Sequence, residues 1–236
     1  MALPLLNAAP KYELIVPSTG KKLRFRPFLV KEQKVLLLAY ESQDKKQIVN
    51  AILDTVTACT SGDIDVFDLT TFDIDYIFTQ IRSKSVGEKV DLQIACSSCE
   101  QANDVQVNLE DIKVEVEKDS EIIKLNDEIS IKMKYPNYNR FMLNSKIFEV
   151  TSASEMIIEI VISSIDSIMT EEENLLAKDE SREELLSFVE SMNAEQFEKV
   201  SRFVESMPVM KHEINFKCIS CGEENTRLLQ GIDDFF

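Results

Sequence analysis

The sequence predicts an α+β fold in which short helices and antiparallel strands alternate along the chain. Three observations support this prediction: a β-hairpin pattern near the N-terminus, a change from helical spacing to strict alternation after residue 88, and a return to helical spacing after residue 137. Two CxxC motifs, Cys96–Cys99 and Cys218–Cys221, each follow a strand pattern directly. We therefore expect an N-terminal β-hairpin with short helices, an antiparallel β meander with zinc-ribbon-like CxxC turns, and a helical insertion.

The N-terminal segment shows the pattern of a hairpin followed by three helices. Lys22–Arg26 alternates cleanly after the turn residues Pro17–Gly20, which is typical of a β-hairpin. Val30–Glu41 contains no glycine or proline and is apolar in its second half, so we expect a helix that is largely buried there. Asp44 is a predicted N-cap for the second helix, and Thr71–Ser83 predicts the third.

Strands dominate Glu88–Tyr135, where apolar residues alternate with polar ones and predict an antiparallel meander. Helical spacing returns in Ser154–Ile168 and Ser187–Met207. The acidic stretch Thr170–Glu184 predicts a solvated connection or a frayed helix end between them. The predicted division is residues 1–86 for the hairpin and helices, 87–136 with 209–236 for the zinc-ribbon-like module, and 137–208 for the inserted helical region.

Charge is distributed unevenly along the 236-residue chain, whose formal net charge is −16. Residues 1–50 contain nine basic and four acidic side chains, so this segment is positive whereas the remainder carries −21. A protein this acidic repels phosphate backbones at long range, which argues against nucleic acid as a partner. The basic cluster is either a solvated face or a docking patch for an acidic partner. It is formed mainly by Lys21, Lys22, Arg24, Arg26, Lys31 and Lys34.

The sequence patterns of membrane proteins, secreted proteins and common enzymes are missing. No apolar run reaches the roughly 18 residues that a membrane span requires. Met1–Pro10 lacks the basic region of a signal peptide, so we expect a reducing compartment. The chain contains no glycine-rich phosphate loop, GxSxG or HExxH motif, and its carboxylates show no paired arrangement. We therefore expect a protein that is not an enzyme.

The two CxxC motifs, called here the first and second knuckle, are the strongest chemical signal in the sequence. Two residues between cysteines allow a tight turn to direct both sulfurs at one ion. Cys96, Cys99, Cys218 and Cys221 would together supply the four ligands of a closed structural zinc site, which leaves no position for a catalytic water. Two alternatives stay open: packed thiols without metal, or redox-active thiols, which usually need a helix N-terminus.

Three further features are candidates for a functional role. Cys59 continues the apolar stripe of its helix and is expected to be a buried bystander. His212 begins the strand before the second knuckle, where a ligand role is open but not needed. Phe235 and Phe236 end the chain, and they either fold back onto the protein or insert into a groove on a partner.

The N-terminal run from Pro10 to Leu38 resembles the opening of the baseplate hub assembly proteins of T-even-type tailed bacteriophages. The likeness continues through both knuckles and through Gly231–Phe236, so it covers most of the chain. The resemblance implies a chaperone-like assembly factor or a hub subunit without enzymatic turnover, whose partners are other baseplate hub or tail proteins. It also implies a location in the host cytoplasm during assembly and leaves retention in the virion baseplate open.

Two other classes of function compete with an assembly factor. The first is a zinc-ribbon regulator that acts on transcription or nucleic-acid machinery, and the net charge of −16 argues against direct contact with nucleic acid. The second is a thiol oxidoreductase, and the position of both knuckles at strand ends argues against it. The sequence therefore favours a protein-binding assembly factor with a structural zinc site.

Overall fold

The computed structural model describes residues 10–60, 64–116, 120–138, 152–232 and 234. Within these ranges the chain forms six α-helices and ten β-strands in small antiparallel sheets, which confirms the predicted α+β class. Among these helices, none combines the length and the apolar character that crossing a bilayer demands.

The helices and strands are numbered in chain order. The helices are α1 (Val30–Ser42), α2 (Lys45–Thr60), α3 (Thr71–Val86), α4 (Ala153–Ser164), α5 (Arg182–Glu190) and α6 (Ala194–Glu205). The strands are β1 (Tyr12–Ile15), β2 (Lys22–Phe25), β3 (Lys89–Ala95), β4 (Ala102–Asn108), β5 (Ser120–Lys124), β6 (Ser130–Lys134), β7 (Ile165–Met169), β8 (Asn174–Leu176), β9 (Lys211–Lys217) and β10 (Glu224–Gln230).

The chain divides into two compact units. The first unit comprises Met1–Val66, Phe72–Glu115 and Val209–Phe236, and the second comprises Phe67–Thr71 and Val116–Pro208. Because the first unit is assembled from three separate stretches, the two hairpins that carry its knuckles come from distant parts of the sequence. The division into the three parts proposed from the sequence stays a prediction.

The first unit opens with the predicted β-hairpin. Strands β1 and β2 pair antiparallel through a turn that contains Gly20. Gly20 has a φ of 67°, a left-handed conformation that glycine adopts without the steric cost of a Cβ atom. Leu23 and Phe25 are buried whereas Lys22 and Arg24 are exposed, so the alternation in the sequence places one face of β2 in the core.

Local polar contacts set the ends of the N-terminal helices. The Asp44 carboxylate accepts the backbone N–H groups of Lys46 (2.9 Å) and Gln47 (3.2 Å), which confirms Asp44 as the cap of α2. Helix α1 ends before Gln43, whose φ of 55° is a left-handed conformation that stops a helix. The third predicted helix is present as α3, and its apolar residues at helical spacing are buried: Ile74, Ile77, Phe78 and Ile81.

The outer face of α1 differs from the prediction. Burial of its second half was expected, but only Leu36 and Ala39 are buried there, whereas Val35, Leu37 and Leu38 are exposed. The reason is geometric: each residue of an α-helix is rotated by about 100° from the last, so consecutive apolar residues cannot all face the same neighbour. Helix α1 packs on α2 with one side, and the prediction for its second half is wrong.

Two hairpins of the first unit carry the knuckles. Strands β3 and β4 pair with each other, and β9 and β10 do the same, both antiparallel over seven residues. The hairpins share one apolar core, which is formed by Val90, Val107, Leu109, Ile112, Met210, Ile214 and Leu229. Burial of such side chains stabilises a fold by roughly 1.5–3 kcal/mol each, so the shared core contributes to holding the two hairpins together.

The second unit contains a four-stranded antiparallel sheet in the order β5-β6-β7-β8. Antiparallel strands are present between residues 88 and 135, but they belong to two sheets and not to one meander, because β3 and β4 pair only with each other. The alternation predicted at Val114 and Val116 lies outside the strands. The helix predicted over Ser154–Ile168 ends at Ser164, and the chain continues as β7, which buries the β-branched Ile165 and Ile168. Strand β8 lies within the stretch that was expected to be a solvated connection.

Helices α4, α5 and α6 pack together in the second unit. Glu159 interrupts the apolar run of α4 and is buried, where its carboxylate accepts two hydrogen bonds from the guanidinium of Arg182 on α5. This bidentate pairing offsets the cost of burying a carboxylate. Ser181 and Asn193 cap α5 and α6, so both helices begin where the sequence offers a side-chain acceptor.

Candidate metal centre

The two knuckles are tight turns with the same construction. In the first, the N–H of Cys96 donates to the carbonyl of Gln101 (2.9 Å), and the Cys96 carbonyl accepts the N–H of Glu100 (3.0 Å). Cys218 makes the corresponding two bonds in the second knuckle, at 2.8 and 3.0 Å. Each turn therefore brings its two cysteine side chains to the tip of a hairpin.

The four sulfur atoms of the knuckles form one compact cluster. The Sγ–Sγ distance is 3.7 Å between Cys96 and Cys221 and 3.6 Å between Cys99 and Cys218, and all four sulfurs lie within 4.8 Å of one another. A tetrahedral zinc ion with Zn–S bonds of about 2.3 Å separates its sulfurs by about 3.8 Å. A disulfide requires a separation of about 2.05 Å. The spacing therefore fits four ligands of one ion and does not fit a disulfide.

Two buried asparagines join the knuckles crosswise. Asn225, which follows the second knuckle, accepts the N–H (2.9 Å) and the hydroxyl (2.8 Å) of Ser97 at its side-chain oxygen. Its amide nitrogen also approaches the sulfur of Cys96 at 3.5 Å. Asn103, which follows the first knuckle, accepts the N–H of Ile219 (2.9 Å). Each asparagine therefore holds the turn of the opposite hairpin, in addition to the shared core.

Backbone N–H groups in the turns point at sulfur atoms and favour the thiolate form that binds metals. The Ser98 N–H donates to Cys96 and the Ser220 N–H donates to Cys218, both at 3.4 Å. The Ser98 N–H is the main cause that lowers the pKa of Cys96. The N–H of Cys221, followed by that of Ser220, lowers the pKa of Cys218 to about 6.

The close approach of four sulfurs limits how many of them can be charged together. The Glu223 N–H lowers the pKa of Cys221, but the sulfur of Cys99, with desolvation and the sulfurs of Cys218 and Cys96, outweighs it and raises that pKa to about 12. Four thiolates at this spacing are stable only with a cation among them. The donor set thus suits a divalent ion with a preference for thiolate ligands, such as zinc.

Comparison with known proteins adds a family to this geometry. The model of the T4 bacteriophage base plate protein family matches residues 9–236, which is nearly the whole chain. The chain belongs to this family. No curated protein and no solved structure matches the chain. The family match confirms the predicted resemblance to T4-type base plate proteins, whereas the specific role in the hub stays a prediction.

The remaining candidate residues of this base plate protein lie apart from the cluster or outside the described residues. Cys59 is fully buried on α2, as predicted, and burial raises its pKa to about 11. His212 is partly exposed and lies opposite Leu229 in the β9-β10 pair. Among the described residues, the cluster of potential metal ligands consists of the four cysteines and does not include His212. Phe235 and Phe236 lie outside the described residues.

The basic residues predicted to bind a partner lie on β2 and beside it, and they differ in their exposure to solvent. Lys21, Lys22 and Arg24 are exposed, and Arg24 forms a solvent-exposed 3.0 Å ion pair with Glu13 on the paired strand. Arg26 instead forms a 2.9 Å ion pair with Glu32, which is almost fully buried. Arg26 therefore stabilises the start of α1, whereas the other three side chains are open to solvent.

Asn103 and Asn225 are the site residues that sequence reasoning missed. Both occupy the fourth position after the last cysteine of a knuckle, so the two motifs share the pattern C-x2-C-x3-N. Alignment of one knuckle on the other would have revealed this repeat. Either motif alone gives no such signal, because an asparagine after a turn is common for other reasons.

Proposed function

We propose that this base plate protein is a non-enzymatic assembly factor of the base plate hub. It would act as a chaperone-like protein or a hub subunit that binds other hub or tail proteins, and its four cysteines would hold a structural zinc ion. Family membership supports the base plate part of this proposal. The observation that carries the zinc part is the grouping of all four knuckle sulfurs within 4.8 Å.

The role that zinc would have follows from where its ligands lie in the sequence. Cys99 and Cys218 are separated by 118 residues, so one ion would fasten the C-terminal stretch of the first unit to its middle stretch. Structural zinc sites contribute apparent free energies of about 10–16 kcal/mol near neutral pH. Four thiolate ligands leave no open coordination position for substrate, which supports a structural rather than a catalytic ion.

The charge of the chain favours protein partners over nucleic acid. A formal charge of −16 opposes approach to a phosphate backbone, so a zinc-ribbon regulator that acts on nucleic-acid machinery is the weaker alternative. The exposed side chains that would contact acidic partner surfaces are those of Lys21, Lys22 and Arg24. Phe235 and Phe236 would contact apolar partner surfaces. We place the protein in the host cytoplasm during tail construction; as a hub subunit it would stay in the finished base plate, and as a chaperone it would leave.

Affinity purification during infection tests this function. Phage encoding a tagged chain would infect host cells, and complexes would be isolated at successive times and analysed by mass spectrometry. We expect other base plate proteins to co-purify with the tagged chain before finished particles appear. Finished particles, purified in parallel, would show whether the chain remains in the base plate. Recovery of the chain only with polymerase subunits or nucleic acid would contradict an assembly role.

A further inference from the structure

Large hydrophobic side chains are exposed on and beside α1. Six of the fourteen that are exposed in the described part of the chain fall between residues 29 and 40. Val30, Leu37 and Leu38 retain 81%, 57% and 55% of their accessible surface. Apolar side chains scattered singly over a surface need no explanation, but a concentration of this kind usually marks an interaction site.

Helical spacing places several of these exposed side chains on one face of α1. Val30, Leu37 and Leu38 are seven and eight residues apart and share the outer face of α1, with Val35 at its border. We call these four residues the α1 patch. The opposite side of the helix faces the interior of the first unit, and its buried residues are Glu32, Leu36 and Ala39.

Basic side chains lie within and beside the α1 patch, and one of them, Lys31, also lies 3.3 Å from the carboxylate of Glu32. Lys34 lies one helical turn from Val30 and from Leu38, and Lys31 lies one turn from Val35. Glu41 is the acidic residue on the same face. The surrounding segment, residues 1–50, contains nine basic and four acidic side chains, whereas the rest of the chain carries −21. The patch is therefore apolar and lies in the positive part of a negative protein.

We propose that the α1 patch is the docking surface for another base plate protein, which contributes an apolar strip bordered by aspartate and glutamate side chains. This inference rests on the proposed function, because an assembly factor needs a surface for its partner. Burial of the patch would remove apolar area from water, and acidic borders on the partner would complement Lys31 and Lys34.

Charge complementarity distinguishes this partner from two other occupants. A second copy of the chain that paired through the same patch would bring two basic borders together, which is unfavourable in a symmetric interface. An anionic lipid surface would attract the lysines but repel a chain with a net charge of −16. A different protein with an apolar strip and an acidic border complements both the apolar side chains of the α1 patch and its lysines.

Site-specific photo-crosslinking in infected cells tests the position of the surface. A benzoylphenylalanine would replace Leu37 in one full-length chain and Ile122 in another, since Ile122 is equally exposed but belongs to the second unit. We expect a base plate protein to be crosslinked from position 37 and not from 122, in a segment that contains apolar and acidic residues. No adduct from position 37, or an adduct with a second copy of the chain, would overturn the proposal.

A pair of matched double variants tests the energetics with the purified partner identified by the crosslink. Leu37→Asp/Leu38→Asp introduces two charges into the patch, and we expect binding to weaken by about 100-fold or more. Val86→Asp/Ile122→Asp makes the same change at two exposed positions elsewhere and should alter binding by less than about 3-fold. Both variants should keep the wild-type circular dichroism spectrum, because all four side chains are exposed.

The outcomes separate this inference from the function on which it rests. Undiminished binding of Leu37→Asp/Leu38→Asp to a base plate protein would overturn the docking surface and leave the assembly role intact. If no base plate protein binds the wild-type chain, the assembly role itself fails. Flotation of the wild-type chain with phosphatidylglycerol vesicles, lost in the same variant, would show that the patch binds lipid and would also overturn the proposal.

Discussion

The two knuckles share their backbone hydrogen bonds but differ at the residue that follows the second cysteine. Glu100 occupies this position in the first knuckle with a φ of 59°, and Gly222 occupies it in the second with a φ of 75°. Left-handed backbone costs a residue with a Cβ atom roughly 1–2 kcal/mol relative to glycine. The turn therefore dictates the conformation, and the first knuckle adopts it against the preference of its residue.

The asparagines that follow the knuckles differ in what their amide groups contact. Both amide nitrogens donate to the carbonyl two residues earlier, that of Asn103 to Gln101 (2.7 Å) and that of Asn225 to Glu223 (3.1 Å). The amide nitrogen of Asn225 also approaches the sulfur of Cys96 at 3.5 Å. Asn225 also accepts two hydrogen bonds from the opposite turn, and Asn103 accepts one. The comparison shows that the second hairpin supports the cluster more than the first, so matched substitutions should have unequal effects.

Loss of one cysteine sulfur should have the largest effect on stability and should destabilise both knuckles alike. Because all four sulfurs would share one ion, Cys218→Ser should release zinc, lower the free energy of unfolding by several kcal/mol, and loosen β3 and β4 as well as β9 and β10. Hydrogen exchange measured by mass spectrometry would detect this. Cys59→Ala serves as the control and should leave exchange at both knuckles unchanged. Full protection of the first knuckle in Cys218→Ser would show that the knuckles are independent.

Substitution of the asparagines should have an intermediate and unequal effect. Asn225→Ala leaves the Ser97 N–H and hydroxyl without their acceptor, and we expect a loss of about 2–3 kcal/mol of stability. Asn103→Ala removes the acceptor of one N–H and should cost about 1–2 kcal/mol. Urea unfolding of the zinc-loaded variants measures both values. Equal losses would remove the asymmetry inferred from the hydrogen bonds.

Substitution of Gly222 and Glu100, the residues that follow the knuckles, should change stability least, and the two changes should have opposite signs. Gly222→Ala should destabilise the protein by about 1 kcal/mol, because of its φ and not because of space: an added Cβ would meet the Lys217 Cε at 3.8 Å, an ordinary contact. Glu100→Gly should stabilise it by up to about 1 kcal/mol. Thermal unfolding of the two variants side by side measures these shifts. A stabilising Gly222→Ala would contradict the turn geometry.

Much of the candidate site could be predicted from the sequence, because its strongest signal is local. Two residues between cysteines and a strand before each pair indicate metal-binding turns, and the structure brings Cys96, Cys99, Cys218 and Cys221 together. The hairpin before α1 was equally local, since alternation and a turn with Gly20 are enough to predict it. These features depend on neighbours within a few residues of one another.

The features that could not be predicted depend on distant partners. The apolar run that contains Leu37 and Leu38 does not show which of its side chains find a neighbour inside the unit. The change from α4 to β7 at Ile165 is set by pairing with β6, which lies more than thirty residues earlier in the chain. The roles of Asn103 and Asn225 need the opposite hairpin and therefore the complete fold.

The zinc content of the purified chain tests the central claim most directly. Protein would be produced in zinc-supplemented cells, purified without chelator, and measured by inductively coupled plasma mass spectrometry beside the Cys96→Ser/Cys218→Ser variant. One zinc ion per wild-type chain, with none in the variant, is the result predicted for a single four-sulfur site. A wild-type chain that contains no zinc and keeps its melting temperature in excess chelator, or a variant that retains its zinc, would contradict the account.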